Sequence, residues 1–191
     1  MNSNYLTAPI IFLIGTLFYL YILAVLLRFL LQYCGSDFYN PISQFLIKIT
    51  HPPLKVLRRY IPAVRKIDTS SLVLVFALQM LADFSIGLLK GDAIGIASLA
   101  ILSTSHLIEL LIDIFIYAVF IRALLTWFSP VGFDAVSAIL TSLTEPLLNT
   151  CRKFIPYIGG VDLSSLAVLL FLYLAKLMVL LPLYDLVNLV R

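Results

Sequence analysis

Charged side chains are scarce in this chain. Lysine and arginine supply 13 residues and aspartate and glutamate 10, so charged residues make up 12% of the 191 positions, while 62% are hydrophobic. Soluble domains carry about 25% charged residues, which excludes an ordinary soluble domain here. No charge interrupts residues 7–27, and at ~1.5 Å per residue such a run crosses a hydrocarbon layer of ~30 Å. The composition predicts a helical membrane protein with several spans.

The patterns that mark an enzyme or a metal site are also missing. The sequence has no glycine-rich phosphate loop, no nucleophile elbow and no cluster of histidine and cysteine at ligand spacing. Cys34 and Cys151 occupy non-equivalent positions and are interpreted as free thiols. His51 and His106 fall in segments predicted on opposite membrane faces, and each is interpreted as a solvated or interfacial histidine. We therefore expect no enzyme, no catalytic residue and no cofactor or metal site.

The first apolar run is expected to remain as a membrane anchor. No positive residue precedes it and no small-residue cleavage site follows it, which argues against a cleaved signal peptide. The run therefore counts as the first spanning segment.

One stretch of the chain occurs twice. Residues 28–72 and 122–166 align at an offset of 94 without a gap and share 15 identities over 45 positions, where unrelated sequences would share only a few. The shared polar and proline positions include Arg28/Arg122, Thr50/Thr144, Pro52/Pro146, Arg58/Arg152, Ile61-Pro62/Ile155-Pro156 and Asp68/Asp162. We interpret the chain as an internal duplication, with the same architecture expected in both halves.

Each half is predicted to contain two spans. They cover about residues 7–33 and 70–89 in the first half and about 105–128 and 164–184 in the second. Residues 92–103 are apolar but give only ~18 Å of helix; we expect an interfacial or re-entrant connection there, with part of a span as the open alternative. The fold class is thus an all-α membrane protein of two parallel two-span repeats.

The long loops, residues 37–66 and 131–160, are predicted to form interfacial amphipathic helices. Asn40-Pro41 is suited to start such a helix, as N-cap and first helical residue. His51-Pro52-Pro53 is expected to break it, because proline removes a backbone donor. Apolar residues recur on one face of each copy, at Ile42, Phe45, Leu46 and Ile49 and at Val136, Ile139, Leu140 and Leu143. The helices either lie in the headgroup plane or cover the ends of the spans.

The distribution of basic residues predicts the orientation. Ten of the 13 lysines and arginines lie between residues 28 and 66 or between residues 122 and 153. By the positive-inside rule both long loops are cytoplasmic and both termini lie outside.

Several motifs resemble the YggT family. In the first copy they are Arg28…Gln32-Tyr33, Asp37-Phe38-Tyr39-Asn40-Pro41, Pro52…Arg58-Arg59-Tyr60-Ile61-Pro62 and Ile67-Asp68. The sequence departs from the family pattern at Arg65-Lys66, where Gly-Gly is usual, and at Asn149-Thr150-Cys151 in the second copy. The resemblance covers nearly the whole chain, as two repeats at residues 1–92 and 93–191. It implies a multi-pass protein of the bacterial cytoplasmic (inner) membrane, with relatives associated with osmotic tolerance, division or membrane-complex maturation, and it supplies no catalytic residues.

Four charges fall inside the predicted spans, at Asp83, Glu109, Asp113 and Lys176. An ionisable side chain at the centre of a span costs at least ~2.5 kcal/mol and usually pairs with another or lines a path. Three interpretations are open: a structural ion cluster, an ion pathway, or misplaced span boundaries. Counting depth along the helices brings Lys176 to nearly the depth of Asp83. We expect these two to pair, with Glu109 and Asp113 nearby.

Six further polar positions are paired between the repeats: Arg28 and Arg122, Arg58 and Arg152, and Asp68 and Asp162. Arg28 and Arg122 lie near span ends and are expected to anchor the boundary by extending to the headgroups, or else to pair with a loop carboxylate. Asp68 and Asp162 precede spans, where a carboxylate can cap free amides.

These features favour a non-enzymatic membrane protein that acts as an assembly, cell-division or membrane-complex maturation factor through its cytoplasmic amphipathic loops. The alternatives are an ion or solute conduit linked to osmotic stress tolerance and a scaffold without a ligand. Proline and glycine lie mostly in the loops, whereas transporters break helices near the midplane. Expected partners are the lipid bilayer, anionic lipid headgroups at the basic loop and unidentified membrane proteins, with no nucleic acid.

Overall fold

The computed structural model describes residues 4–64, 67–92, 94–128, 135–153 and 163–190, which form six α-helices and no β-strand. The helices are α1 (Asn4–Tyr33), α2 (Pro41–Tyr60), α3 (Thr69–Lys90), α4 (Ile96–Phe128), α5 (Ala135–Arg152) and α6 (Leu163–Val190). The predicted all-helical fold is confirmed. In the described part of the chain, three helices are long and apolar enough to cross a membrane: Thr7–Tyr33 in α1, Thr69–Lys90 in α3 and Ser164–Val190 in α6.

The outer surfaces of α1 and α6 are strongly apolar. Phe12 on α1 is 73% exposed, and Phe171 and Met178 on α6 are 66% and 76% exposed. In water, such side chains would form a contiguous exposed apolar patch larger than soluble monomers usually have. Against lipid tails the same surface has no such cost, so it is consistent with two membrane-facing helices.

Helix α2 runs unbroken through Pro52 and Pro53, so the predicted break at this point is wrong. A proline at position 53 cannot donate to the carbonyl of Ile49 four residues earlier. The Tyr21 hydroxyl of α1 donates to that carbonyl instead, at 3.4 Å. A contact with another helix thus satisfies an acceptor that the proline leaves open, and the helix continues.

The start of α2 is as predicted. Asn40 is the N-cap, and its side-chain oxygen accepts a hydrogen bond from the backbone amide of Ile42 at 2.9 Å. The buried stripe of the helix consists of Ser43, Leu46, Thr50 and Leu54. Phe45 is 61% exposed, so this ring lies outside the packed interface. The equivalent stripe of α5 is Leu140, Leu143, Thr144 and Leu148.

The connection predicted at residues 92–103 is part of a helix. Helix α3 ends at Gly91, which adopts the left-handed conformation (φ 76°), and the amide of Asp92 donates to the Gly87 carbonyl at 3.0 Å. Helix α4 then begins at Ile96 and continues to Phe128 without a break at position 104. Its first turns are packed, since Ser98 and Ser103 are almost completely buried. A re-entrant piece separate from α4 is therefore wrong, because burial against neighbouring helices extends α4 backwards. The interfacial position of these turns stays a prediction.

The two amphipathic helices lie together at one end of the bundle, here called the loop end. The Asn40 side-chain amide donates to the carbonyl of Ala135 at 2.7 Å, and the hydroxyls of Ser36 and Ser142 are in contact. Helix α1 ends and α3 begins at the loop end, because both adjoin α2. At the opposite end, here called the far end, α3 turns into α4.

A single apolar core fills the loop half of the bundle. It is built from buried side chains of five helices: Ile22, Val25, Leu26, Leu30, Leu54, Leu74, Val75, Leu110, Ile114, Ala118, Leu140 and Leu143. A smaller cluster, which includes Val119, Leu148 and Val168, joins α4, α5 and α6. This core holds the two halves of the chain as one packed unit.

A proline substitution tests the continuity of α4. Thr104→Pro should remove the bond to the Ala100 carbonyl and clash with it, at a cost of about 3 kcal/mol. Ile96→Pro, at the first helical position, should be tolerated. Thermal unfolding of each purified variant in detergent, followed by circular dichroism, should show a lower midpoint for Thr104→Pro alone. Equal midpoints would contradict a continuous helix at residue 104.

Candidate functional site

Lys176 on α6 is neutralised by two carboxylates of α4. Its Nζ lies 2.7 Å from Asp113 Oδ1 and 3.1 Å from Glu109 Oε1. The expected pair between Lys176 and Asp83 is therefore wrong, although Glu109 and Asp113 were expected nearby. The reason is helix adjacency: α6 packs along α4, whereas Asp83 lies on α3 and contacts a different part of α4.

Asp83 is buried and is held by three donors. His106 Nδ1 lies 3.0 Å from its Oδ1, the Gln79 side-chain amide donates to Oδ1 at 3.1 Å, and the Ser103 hydroxyl donates to Oδ2 at 2.8 Å. A buried carboxylate without such partners would be costly. His106, which was expected to be solvated or interfacial, has a side chain 37% exposed and is the nearest ionisable partner of Asp83.

Tyr184 extends the set toward the far end of α6. Its hydroxyl donates to Glu109 Oε2 at 2.9 Å, and its ring lies edge-on to His106 with centroids 6.4 Å apart. Tyr184 thus joins the Lys176 contacts and the Asp83–His106 contact into one contiguous set of polar side chains on α3, α4 and α6. We call it the polar network: Gln79, Asp83, Ser103, His106, Glu109, Asp113, Lys176 and Tyr184.

Part of this network could have been read from spacing. His106, Glu109 and Asp113 recur three and four residues apart, so they lie on one face of a helix. Ser103 falls on the same face, three residues before His106. Nothing in the sequence indicates Gln79 or Tyr184, because their membership depends on which helices pack together.

Two cavities adjoin the polar network. One of about 380 Å³ is lined by Asp83, His106, Glu109 and Asp113 together with residues of α1. The other, of about 370 Å³, extends from Asp83 and His106 to Lys90, Asp92 and Asn188 at the far end. Asp83, Ile86 and His106 line both cavities. The first cavity also touches Ile22 and Leu110 of the apolar core, whereas the second reaches Lys90, Asp92 and Asn188 at the far end.

The network pairs charges of opposite sign inside the bundle. Each of its carboxylates is matched by a donor of the chain: Asp83 by His106, Gln79 and Ser103, Glu109 by Lys176 and Tyr184, and Asp113 by Lys176. Among the residues the structure describes, no group of three or more histidine, cysteine, aspartate and glutamate side chains is disposed to hold a metal ion. Charge neutralisation within the helix bundle is what this geometry accomplishes directly.

A second polar arrangement repeats at the loop end. The Arg28 guanidinium donates to Thr50 Oγ1 at 2.8 Å, and the Arg122 guanidinium donates to Thr144 Oγ1 at 2.7 Å. These are equivalent residues of the two repeats, so the duplicated sequence produces a duplicated contact. Arg28 is only 7% exposed; it is buried in the packing between α1 and α2 rather than extended outward as expected.

Glu145 distinguishes the second repeat from the first. Its carboxylate lies 2.6 Å from Arg122 and 3.5 Å from Arg152. The alternative expectation, an ion pair with a loop carboxylate, therefore describes Arg122. Position 51, equivalent to Glu145, is a histidine, so the first repeat lacks this carboxylate.

Asp68 is the N-cap residue of α3, but its side chain makes no capping bond to a helix amide. Its Oδ2 instead accepts from the Arg58 guanidinium and, at 2.8 Å, from the Ser71 hydroxyl. Burial alone would raise the pKa of Asp68, but the hydrogen bonds from Arg58 and Ser71 outweigh it and lower the pKa below its ordinary value. The pair therefore stabilises the fold above that ordinary pKa and is lost as pH falls through the lowered one. Asp162, the equivalent in the second repeat, lies outside the described residues.

The CCB3/YggT family matches this chain twice, at residues 7–89 and at residues 101–183. The chain belongs to the CCB3/YggT family. The second match starts and ends 94 residues after the first, at residue 101 after 7 and at residue 183 after 89. The offset equals that of the internal duplication, so the two tandem YggT repeats predicted from the sequence are confirmed.

Similar proteins occur in several bacteria. The YggT-family chain is 38% identical over 176 residues to an uncharacterised protein of Pseudomonas aeruginosa, covering 91% of this chain and 89% of that protein. It is 36% identical over 170 residues to the uncharacterised protein YggT of Escherichia coli K12, covering 87% and 86% respectively. No solved structure matches the chain. These relatives support a membrane protein whose role has to be inferred from its structure.

A double-mutant cycle tests the charge pairing in this YggT-family protein. Removing Lys176 alone leaves both Asp113 and Glu109 without their cation, whereas removing Asp113 as well leaves only Glu109 uncompensated. Lys176→Met and Asp113→Asn should therefore couple by about 0.5–3 kcal/mol in unfolding free energy in detergent.

The matched control is the cycle between Lys176→Met and Asp83→Asn. It should be nearly additive, because Asp83 is bonded to His106, Gln79 and Ser103 instead. Strong coupling of Lys176 to Asp83, with none to Asp113, would contradict the pairing in the structure and favour the Lys176–Asp83 pair expected from depth.

Proposed function

We propose that the chain is a four-span protein of the bacterial inner membrane, with α1, α3, α4 and α6 as spans. Helices α1, α3 and α6 meet the length and composition of a span. Helix α4 has 33 residues, and its two mid-helix carboxylates share Lys176 from the neighbouring helix, with the Tyr184 hydroxyl donating to Glu109 as well. Internal pairing of this kind removes most of the cost that would keep such charges out of a bilayer.

The loop end is proposed to face the cytoplasm. Ten of the 13 basic residues belong to the segments that carry α2 and α5, and basic residues are retained on the cytoplasmic side. With two spans in each repeat, both termini then lie outside the cytoplasm and the two repeats are parallel.

We further propose that the protein acts by contact, as an assembly or maturation factor for membrane complexes or cell division, and not as an enzyme. The observation that carries this is the separation of polar and apolar regions. On α4 the polar network reaches Asp113, and the residues that follow toward the loop end, Ile114 and Ala118, belong to the apolar core. A continuous conduit needs polar or hydrated lining through that half.

The loop end offers a surface for such contacts. Phe38, Phe45 and Val56 are more than half exposed, at 55%, 61% and 59%, and Tyr60 is 75% exposed. Lysine and arginine side chains alternate with these apolar groups on α2. Exposed aromatic residues beside arginine are the composition typical of interface centres.

The alternative, an ion or solute conduit linked to osmotic stress, has one specific observation in its favour. Two adjacent cavities, which share Asp83, Ile86 and His106 in their linings, extend between Lys90, Asp92 and Asn188 and the rest of the polar network. Transport by this route would require the apolar core to open in a second conformation.

Accessibility labelling tests the topology. In a chain with Cys34 and Cys151 replaced by serine, single cysteines at Lys48 or Asn149 should be protected from a membrane-impermeant maleimide in intact cells. A cysteine at Lys90 should react. All three side chains are exposed in the fold, so burial does not explain protection, and reaction at Lys48 would overturn the proposed orientation.

Site-specific photocrosslinking and flux measurements test the role. A crosslinker at Phe45 should give discrete protein adducts in native membranes, while one at Leu170 on the apolar face of α6, 60% exposed, should give lipid adducts only. Proteoliposomes should pass potassium, protons and small osmolytes no faster than protein-free liposomes. Saturable flux that is abolished by Asp83→Asn would favour the conduit and contradict the contact role.

A further inference from the structure

The two repeats treat their paired arginines differently. In the second repeat Glu145 contacts both Arg122 and Arg152, so one built-in carboxylate bridges the two guanidinium groups. In the first repeat the equivalent arginines are Arg28 and Arg58. Among the described residues no carboxylate bridges them, because Arg28 bonds to the Thr50 hydroxyl and Arg58 bonds to Asp68.

A cavity of about 470 Å³ opens beside this pair of arginines, within the range of small-molecule sites. Its polar lining consists of Arg28, Gln32, Ser36, Ser43, Arg58 and Asp68. Two positive charges and one negative charge leave it with a net charge of +1. The remaining wall is apolar and includes Leu31, Leu46 and Ile47.

Two buried polar atoms in this lining lack partners in the described part of the chain. They are the hydroxyl of Ser43, which is 5% exposed, and Oδ1 of Asp68, which is 2% exposed. A buried polar atom without a hydrogen bond costs about 1–3 kcal/mol. The hydroxyl can donate to an anion, whereas the carboxylate oxygen requires a donor from whatever fills the cavity.

The chemistry of the missing occupant follows from these groups. Guanidinium groups bind phosphate oxygens strongly, and the free Asp68 oxygen calls for an N–H or O–H group close to that phosphate. The apolar wall suits a hydrocarbon segment. The cavity lies where α1 ends and α3 begins, which is headgroup depth in the proposed topology.

We propose that this cavity binds the headgroup of a membrane phospholipid, with its phosphate between Arg28 and Arg58 and its own hydrogen-bond donor on Asp68. Phosphatidylethanolamine and phosphatidylglycerol have both features. Phosphatidylcholine has the phosphate but no donor. The inference rests on the proposed membrane location but not on the proposed contact role.

The second repeat supplies the test substitution. His51→Glu would give the first repeat the carboxylate that Glu145 provides in the second, next to the same proline, and would compete with phosphate for the two arginines. Position 51 is exposed, and every cavity residue stays in place. The matched control is His51→Gln, which adds a polar side chain of similar size without the charge.

Binding is measured by native mass spectrometry of the full-length protein in detergent, titrated with each lipid. Phosphatidylethanolamine and phosphatidylglycerol should bind the parent protein at least about tenfold more tightly than phosphatidylcholine, the loss expected for one hydrogen bond to a charged group. His51→Glu should weaken their binding by at least about tenfold, while His51→Gln should leave it unchanged. Arg58→Gln should weaken it as well, whereas Arg59→Gln, at an exposed neighbour outside the cavity, should not.

Three results would overturn the proposal. If phosphatidylcholine bound as tightly as phosphatidylethanolamine and phosphatidylglycerol, Asp68 would not accept a hydrogen bond from the headgroup. Displacement of lipid by millimolar inorganic phosphate would identify a site for free phosphate. Unchanged lipid affinity in His51→Glu, with circular dichroism showing a folded protein, would mean that the arginine pair does not hold the phosphate. None of these readouts depends on a protein partner, so failure here is distinguishable from failure of the contact role.

Discussion

An arginine buried near the end of a long helix has to find an acceptor within the chain, and the arrangement of this protein depends on how it does so. Arg28 and Arg122 each donate to a threonine on the following amphipathic helix. Thr50 and Thr144 are completely buried, and each also donates to the carbonyl four residues earlier. Because an unpartnered buried guanidinium is very costly, α2 has to lie against α1 and α5 against α4. The shared position of both amphipathic helices at the loop end follows from these two contacts.

Much of the architecture could be predicted because it depends on local pattern and on repetition. Residues 94 positions apart make equivalent contacts, Arg28 with Thr50 and Arg122 with Thr144. The Asn40 cap follows from the adjacent pair Asn40-Pro41. The continuity of α2 could not be predicted from Pro52 and Pro53. It depends on a tyrosine of another helix that lies 28 residues earlier.

The charge pairing was mispredicted for a related reason. Depth along a helix follows from residue number, and it correctly brings the ionisable residues to one region. It does not determine which helices are neighbours, and Lys176 on α6 faces α4 and not α3. Asp83 on α3 accordingly pairs with His106 on α4. The sequence shows that His106 and Glu109 share a helix face, but it does not show that this face packs against α3.

The distribution of polarity divides the bundle into two functional halves. Toward the far end, ionisable groups satisfy one another beside cavities that reach the surface. Toward the loop end, a dry core supports two amphipathic helices with exposed aromatic and basic side chains. Catalysis or transport would use the ionisable groups of the first half, whereas recognition would use the exposed side chains of the second. The duplication has also let the repeats diverge, since a glutamate bridges the arginine pair in the second repeat and a histidine occupies the equivalent position in the first.

The length of α4 has a mechanical consequence. Its 33 residues measure about 50 Å, which exceeds a hydrocarbon layer of ~30 Å. Upright, the helix would project from the bilayer, and by tilting it would bring more of its length inside. Mismatch of this kind changes the energy by fractions of a kcal/mol per Å. In the proposed four-span topology, the contacts of α4 with α3 through Asp83 and with α6 through Lys176 would pass its tilt to its neighbours and make the whole bundle sensitive to membrane thickness.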